Sequence, residues 1–319
     1  GFRHRARQGA DIVRALWPRL VGLPWRIGVI ALTAVAVLVA LFAGAGAAAP
    51  EGVPPTRGAD NVVIVGVPGL GLDDLDTGLV PSIDALWQED GALSAMSVRT
   101  YSSRPRTVEA WATLGAGARV RADQIAAAAY ESATPYENTT AGEVTARRTG
   151  SDVSGDIAVV NVPLVIDNAG ADVPSLPGAL GDALADAGVL TGAVGNADTI
   201  QPDGDVTISR PTAVAVMRSD GFVDRGEVEQ SLLVPDPDAP FGTVSSVDAV
   251  VAATLRTLED ADVVAVDPGD LDRLRASDSV MTPDERDDLR RSALRNVDAL
   301  VEALSEQLDD DTLLLVVGL

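Results

Sequence analysis

The order of hydrophobic and polar positions predicts strands and helices that alternate along the chain. Residues 61–67 read NVVIVGV, a nearly continuous apolar and β-branched run that is typical of a strand buried on both faces. Apolar residues at helical spacing predict amphipathic helices, such as PGALGDALADAG at 177–188, which ends on a glycine. The same reasoning predicts further strands at 92–98, 157–166, 189–195, 262–266 and 312–317. It predicts further helices at 81–89, 107–116, 246–259 and 282–308, and it gives residues 120–155 no assignment.

This alternation predicts how the strands are arranged. Parallel neighbours need crossovers of a dozen or more residues, and the predicted helices supply connections of that length. The sequence therefore predicts an α/β fold, with a mostly parallel sheet and helices on both faces. Because ligands bind beyond the carboxyl ends of the strands in such sheets, we expect a site in the loops after Val67, Val98, Val194 and Val266.

Residues 27–49 form a long uncharged run, IGVIALTAVAVLVALFAGAGAAA. As a helix this run reaches about 34 Å, enough to cross a hydrocarbon core of about 30 Å. Residues 1–26 carry six arginines and one aspartate, a charge of +5, so the chain's net charge of −23 leaves −28 on the remainder. The positive-inside rule then predicts a transmembrane helix with a cytoplasmic N-terminus. A cleaved signal peptide, with small residues at 45–49, is the alternative, and it exports the same part of the chain.

These segments give the predicted domain organisation and location. Residues 1–26 are a basic cytoplasmic tail, and residues 50–60, with three prolines and two glycines, are a linker. Residues 61–319 are an extracytoplasmic domain held at the cell membrane by the anchor at 27–49. Because the sequence stops within an apolar strand, we expect the chain to continue beyond Leu319, with further membrane helices as one option.

Composition excludes several kinds of site. The chain has no cysteine, which excludes disulfides, thiolate zinc sites and cysteine nucleophiles. Its single histidine is His4, in the predicted tail, so the predicted domain has none for a Ser-His-Asp triad or a histidine-ligated metal. A net charge of −23 argues against nucleic acid as a partner, because phosphate binding needs a basic face.

Three stretches, taken in order, resemble the alkaline phosphatase superfamily of phosphatases, sulfatases and phosphoglycerate mutases. VVIVGVPGLGLDDL from residue 62 and VPSIDALWQEDGAL from residue 80 are similar to that family's first strand, metal-binding turn and following helix. TVEAWATLGAG at 107–117 is similar to its nucleophile helix. SALRNVDALVEALSEQLDDDTLLLVV from residue 292 is similar to the helix and strand before its closing Ser-Asp-His-Gly metal motif. The chain also resembles a group of actinobacterial membrane proteins with a degenerate domain of this kind.

The resemblance implies a reaction and a set of residues. In this family two divalent metals activate a hydroxyl nucleophile that attacks a phosphate or sulfate ester. The resemblance places Thr107 at the nucleophile position, with Arg104 and Arg106 beside it to bind oxyanion oxygens. Without the resemblance, Thr107 is equally an ordinary helix N-cap and the two arginines belong to a solvated loop.

The sequence departs from the family at the metal site. The resemblance implies an aspartate ligand after the first strand, but Pro68 stands there, and proline cannot ligate a metal. Asp267 and Asp270 lie where the family has an Asp and His pair, and Asp73 and Asp74 are substitute oxygen ligands in the first loop. A carboxylate site favours Mg²⁺, Mn²⁺ or Ca²⁺ over Zn²⁺. Asp73 and Asp74 are also typical of a first helical turn, where the dipole favours acids.

Three functions stay open at this point. We expect a membrane-anchored, extracytoplasmic pseudoenzyme without a cofactor, which uses its cleft to bind an envelope ligand or a protein partner. The alternative is a phosphate or sulfate ester hydrolase with Thr107 as nucleophile and bound Mg, Mn, Ca or Zn ions. The third is a purely structural role within a larger membrane protein.

Overall fold

The computed structural model describes residues 59–88, 91–94, 100, 102, 106–168, 175–201 and 203–319. Its strands are β1 (Asn61–Val67), β2 (Ala129–Glu131), β3 (Pro135–Tyr136), β4 (Thr139–Thr140), β5 (Ile157–Val159), β6 (Thr191–Val194), β7 (Thr199–Ile200), β8 (Val206–Thr207), β9 (Phe222–Val223), β10 (Arg225–Glu227), β11 (Leu233–Pro235), β12 (Thr243–Ser245), β13 (Val263–Val266) and β14 (Thr312–Gly318). Its helices are α1 (Leu72–Leu75), α2 (Pro81–Gln88), α3 (Thr107–Ala116), α4 (Ala141–Thr149), α5 (Val162–Asn168), α6 (Ala179–Asp186), α7 (Thr212–Val216), α8 (Val247–Leu258), α9 (Asp270–Ser277) and α10 (Pro283–Gln307).

The main sheet is built around β1. In the described part of the chain it has five strands in the order β10-β6-β13-β1-β14, and all four neighbouring pairs are parallel. Val63 of β1, for example, lies beside Val264 of β13 and Leu314 of β14. The predicted α/β fold with a mostly parallel sheet is confirmed. Smaller antiparallel sheets, such as β2-β5-β9, are added outside it.

Helices pack on both faces of the main sheet. Successive side chains of a strand point to opposite faces, so β1 contributes to two separate clusters. Val63 and Val65 pack in a cluster with Leu294 of α10 and its neighbours, whereas Ile64 packs against a cluster that contains Trp111 of α3. Burial from both sides explains why residues 61–67 are almost continuously apolar.

Local signals set the ends of the helices. Thr282 is the N-cap of α10, and its hydroxyl accepts a hydrogen bond from the Glu285 N–H at 3.3 Å. Ser246 caps α8 in the same way. Gly117 ends α3 in the left-handed region, with φ 60, a conformation that glycine adopts without strain.

The strand predicted at 157–166 was wrong in its second half. Strand β5 stops at Val159, and helix α5 begins at Val162 with Pro163 in its first turn. Proline is tolerated there because the first N–H groups of a helix have no partner within the helix. The strand predicted at 92–98 does not form at its described residues, 92–94, and 95–98 lie outside the described residues.

The membrane segment falls outside this description. The predicted tail at 1–26, the predicted transmembrane helix at 27–49 and residues 50–58 of the predicted linker all lie outside the described residues. Within the described ranges, no helix combines the length and the apolar character that crossing a bilayer requires.

Candidate functional site

The first turn of α3 faces the loop that follows β13, at the carboxyl end of the main sheet. Thr107 is the first residue of α3, and its Oγ1 donates a hydrogen bond to Asp272 Oδ1 at 2.8 Å. One turn later on the same face, Trp111 Nε1 donates to Asp267 Oδ2 at 2.9 Å. Ser209 Oγ donates to Asp272 Oδ2 at 3.2 Å. We call these five residues the threonine cluster.

Thr107 is not a helix N-cap. Arg106 occupies the cap position, and the Thr107 hydroxyl is turned away from the backbone of α3 toward Asp272. The Thr107 side chain is also buried, with 1 % of the residue exposed. A hydrogen bond to a carboxylate is also found in activated hydroxyl nucleophiles, but a nucleophile needs a route to its substrate, and the Thr107 side chain is enclosed.

The two carboxylates of the threonine cluster are desolvated. Burial raises the pKa of Asp267 to about 7, against the lowering effect of the hydrogen bonds from Trp111 and from the Gly269 N–H. Burial likewise raises the pKa of Asp272, and the hydrogen bonds from Thr107 and Ser209 oppose that rise. Burial therefore favours the protonated form of Asp267, whereas the two N–H donors favour its ionised form.

Asp270 is held by donors from three parts of the chain. It is 6 % exposed, and the guanidinium of Arg273, itself 1 % exposed, donates to its carboxylate. The Ser245 N–H donates to it at 2.9 Å and Asn296 Nδ2 at 2.6 Å. Arg273 also donates to the carbonyl of Asn196 at 2.6 Å. The positive charge beside the Asp270 carboxylate thus comes from the Arg273 side chain.

Asp73 and Asp74 lie in the first turn of α1, where the helix dipole favours acids, as the second interpretation of these residues predicted. Asp73 is exposed. Asp74 binds Arg290 through both of its oxygens, at 2.6 and 2.8 Å, and accepts the Gly71 N–H at 2.9 Å. The hydrogen bond from Arg290 is the main reason that the pKa of Asp74 is lowered.

Of the two candidate oxyanion-binding arginines, Arg106 is not part of the threonine cluster. Arg106 is exposed and makes no side-chain capping bond to α3. Arg104 lies outside the described residues.

Pro68 is buried in a turn after β1, in which Gly69 adopts φ 75 and the Leu70 N–H donates to the Val67 carbonyl at 3.2 Å. Proline at the second position and glycine at the third are typical of a type II turn.

The predicted ligands do not fit a two-metal centre. Across the described ranges, no group of three or more His, Asp or Glu side chains is arranged to hold a metal ion. Asp267 lies in the loop after β13 and Asp270 begins α9, and their oxygens accept hydrogen bonds from Trp111, Arg273 and backbone N–H groups. A cation would have to displace these donors before it could bind.

A second buried charge cluster adjoins the threonine cluster through Ser209. The Ser209 N–H donates to Asp198 Oδ1 at 2.8 Å, and Asp198, fully buried, pairs with Arg210 at 3.0 Å. Arg210 also pairs with Glu229 at 3.2 Å, and its guanidinium lies 5.3 Å from the centre of the Tyr130 ring. Hydrogen bonds between charged groups of this kind hold loops in one arrangement.

Gly195, after β6, permits the close approach of two loops at this site. Its φ is 140, and a Cβ there would lie 2.0 Å from the Asp267 carbonyl oxygen. We expect Gly195→Ala to lower the free energy of unfolding by about 3 kcal/mol, since backbone strain and overpacking add. Gly204→Ala, at φ 91 with nothing within 4 Å of the new Cβ, should lose only about 1 kcal/mol. Equal losses in denaturant titrations of the two variants would contradict this.

Sequence reasoning placed Thr107, Asp267 and Asp270 near one another but missed three partners. Asp272 and Ser209 lie in segments without a motif, and Trp111 had no assigned role. The spacing of Thr107 and Trp111, four residues apart in a predicted helix, was the available signal that both face the same neighbour. Comparison of the sequence with protein-family models and with curated proteins gave no match.

Proposed function

We propose that this chain is a membrane-anchored, extracytoplasmic domain of the alkaline phosphatase type that has lost its metal centre and acts as a binding or scaffold module of the cell envelope. The observation that carries the proposal is the contact of Thr107 with Asp272. The hydroxyl at the nucleophile position is buried and donates to a carboxylate of the protein. In a metal-dependent esterase, that hydroxyl has to be deprotonated, metal-bound and open to the substrate.

The pairing of the other candidate ligands supports the same function. Arg273 stands beside Asp270 and Arg290 beside Asp74, so guanidinium groups supply the positive charge that cations supply in metal-dependent hydrolases. Trp111 donates to Asp267. These contacts tie α3, α9 and α10 to the loops at the carboxyl end of the sheet, an arrangement that suits a structural or binding role.

We propose the location from the sequence alone. The basic segment at 1–26 and the uncharged run at 27–49 favour an anchor with the N-terminus in the cytoplasm and the remainder of the chain on the outer side. The partner we expect is an envelope ligand or protein, and not a nucleic acid.

A hydrolysis assay tests the loss of activity. The full chain in nonionic detergent, supplied in turn with Mg²⁺, Mn²⁺, Ca²⁺ and Zn²⁺, is expected to release nitrophenol from nitrophenyl phosphate and nitrophenyl sulfate no faster than buffer. Thr107→Ala and the control Thr139→Ala, which changes a threonine of β4 outside the threonine cluster, should give the same rates. Metal-dependent turnover that Thr107→Ala abolishes and Thr139→Ala retains would establish the hydrolase instead.

A further inference from the structure

A cavity of about 340 Å³ lies between helix α10 and the segment that leads into α2. This volume is in the range of sites for small molecules. The leading segment and α10 each form a wall, and the residues that matter for a ligand are Leu79 and Pro81 on one side and Arg295, Asp298, Ala299 and Glu302 on the other. The four positions on α10 follow one another at steps of three, one and three residues, so they lie on a single face of the helix.

The carboxylate of Asp298 joins the two walls of the cavity. Asp298 is 6 % exposed. The Ser82 N–H donates to its two oxygens at 3.0 and 3.2 Å, and the Ile83 N–H donates to Oδ1 at 2.9 Å. These bonds fix the first turn of α2 against α10, and with it the position of both walls. Because a carboxylate has about four acceptor sites, Asp298 can accept one more hydrogen bond from a group in the cavity.

Arg295 and Glu302 place opposite charges at the two ends of this helix face. Both residues are exposed, and neither side chain makes a hydrogen bond or an ion pair with another residue in the part of the chain that the structure describes. Seven residues separate them, which is a rise of about 10.5 Å along the helix. Between them the walls carry Ala299, Leu79 and Pro81. A ligand that suits this cavity therefore has an anionic end, a cationic end and a small apolar middle.

We propose that the cavity binds a short zwitterionic peptide of small residues, with the peptide's carboxylate at Arg295 and its ammonium group at Glu302. Three extended residues span at most about 10–11 Å, which matches the rise between the two charged positions. A guanidinium binds a carboxylate through two parallel hydrogen bonds, and Glu302 accepts from the ammonium group. Asp298, between the two ends, is the acceptor for a peptide N–H. The cavity shares no residue with the threonine cluster, so this inference is independent of whether the chain is a pseudoenzyme or a hydrolase.

Titration calorimetry with trialanine tests the class of ligand. We expect the full chain in nonionic detergent to bind trialanine with a Kd below about 1 mM. Acetylation of the ammonium group and amidation of the carboxylate should each weaken binding about tenfold, because each removes one charged hydrogen bond. Free alanine, whose two charges are one residue apart, cannot reach both ends and should also bind more weakly than trialanine. No binding of trialanine, or equal binding of the two blocked peptides, would overturn the proposal.

Variants of the two charged residues test the location of the peptide. Arg295→Gln and Glu302→Gln should each bind trialanine about tenfold more weakly. Amidation should then cost Arg295→Gln nothing further, and acetylation should cost Glu302→Gln nothing further, because the partner is already lost. Glu306→Gln, which changes an exposed acid of α10 outside the cavity, is the matched control and should bind as the unmodified chain does. Circular dichroism checks that all three variants are folded. Equal binding of trialanine by the three variants would place the peptide elsewhere and contradict the proposal.

Discussion

Replacement of Arg273 by methionine is expected to lower the free energy of unfolding by about 3–5 kcal/mol. The Arg273 guanidinium is 1 % exposed and donates to the Asp270 carboxylate, to Ser245 Oγ at 2.7 Å and to the Asn196 carbonyl at 2.6 Å. Methionine fills much of the same volume but leaves a buried carboxylate without its cation and two buried acceptors without a donor. Denaturant unfolding followed by circular dichroism measures the loss.

Arg291→Met is the matched control for this change. Arg291 pairs with Asp288 on the outer face of α10, where the two side chains are 48 % and 72 % exposed. Exposed ion pairs contribute less than about 1 kcal/mol, so this variant should unfold almost as the unmodified chain does. A loss in Arg273→Met no larger than that in Arg291→Met would show that the Asp270–Arg273 pair does not hold these loops together.

The stability of the domain is expected to fall as the pH rises from about 4 to about 7. The folded state keeps a proton on Asp267 up to a pH of about 7, whereas the unfolded chain releases it near 3.8. Between these values the folded state binds more protons, so each pH unit removes at most about 1.4 kcal/mol for this group, and its contribution is constant above pH 7. Asp272, whose pKa is also raised, adds to the same slope.

Asp267→Asn separates this group from the other carboxylates. Asparagine carries no titratable proton, so the free-energy difference between the unmodified chain and the variant should decline with pH in the same window. Asp74 does not interfere, because Arg290 lowers its pKa below 3.8 and its effect falls at more acidic pH. A difference that is constant from pH 4 to pH 7 would show that Asp267 is ionised throughout.

The main sheet could be predicted because a strand that is buried on both faces is apolar at consecutive positions. Residues 61–67 and 263–266 are apolar at consecutive positions, and the helices between the strands show a clear period or a cap such as Thr282. The helix α9 could not be predicted in this way. Its sequence, DLDRLRAS, has only two large apolar residues, and its position depends on the hydrogen bond of Arg273 to the loop after β6 and on packing against α10.

The candidate site could be predicted only in part, for a related reason. Thr107 and Asp267 stand next to recognisable elements, which allowed their placement at the same end of the sheet. Asp272 lies 165 residues from Thr107 in the sequence, so only the topology of the parallel sheet brings them together. The same limit applies to Asp74, since nothing local to α1 indicates that Arg290 will pair with it.

Metal binding is the most direct measure of whether protein donors have replaced the cations of this site. The full chain is dialysed against Mn²⁺ in detergent, and bound Mn²⁺ is counted by electron paramagnetic resonance, with Asp310→Asn as a control for the exposed acids. We predict no tightly bound ion and the same thermal unfolding midpoint with and without a chelator. Two tightly bound ions per chain that are lost in Asp267→Asn and retained in Asp310→Asn would contradict the account.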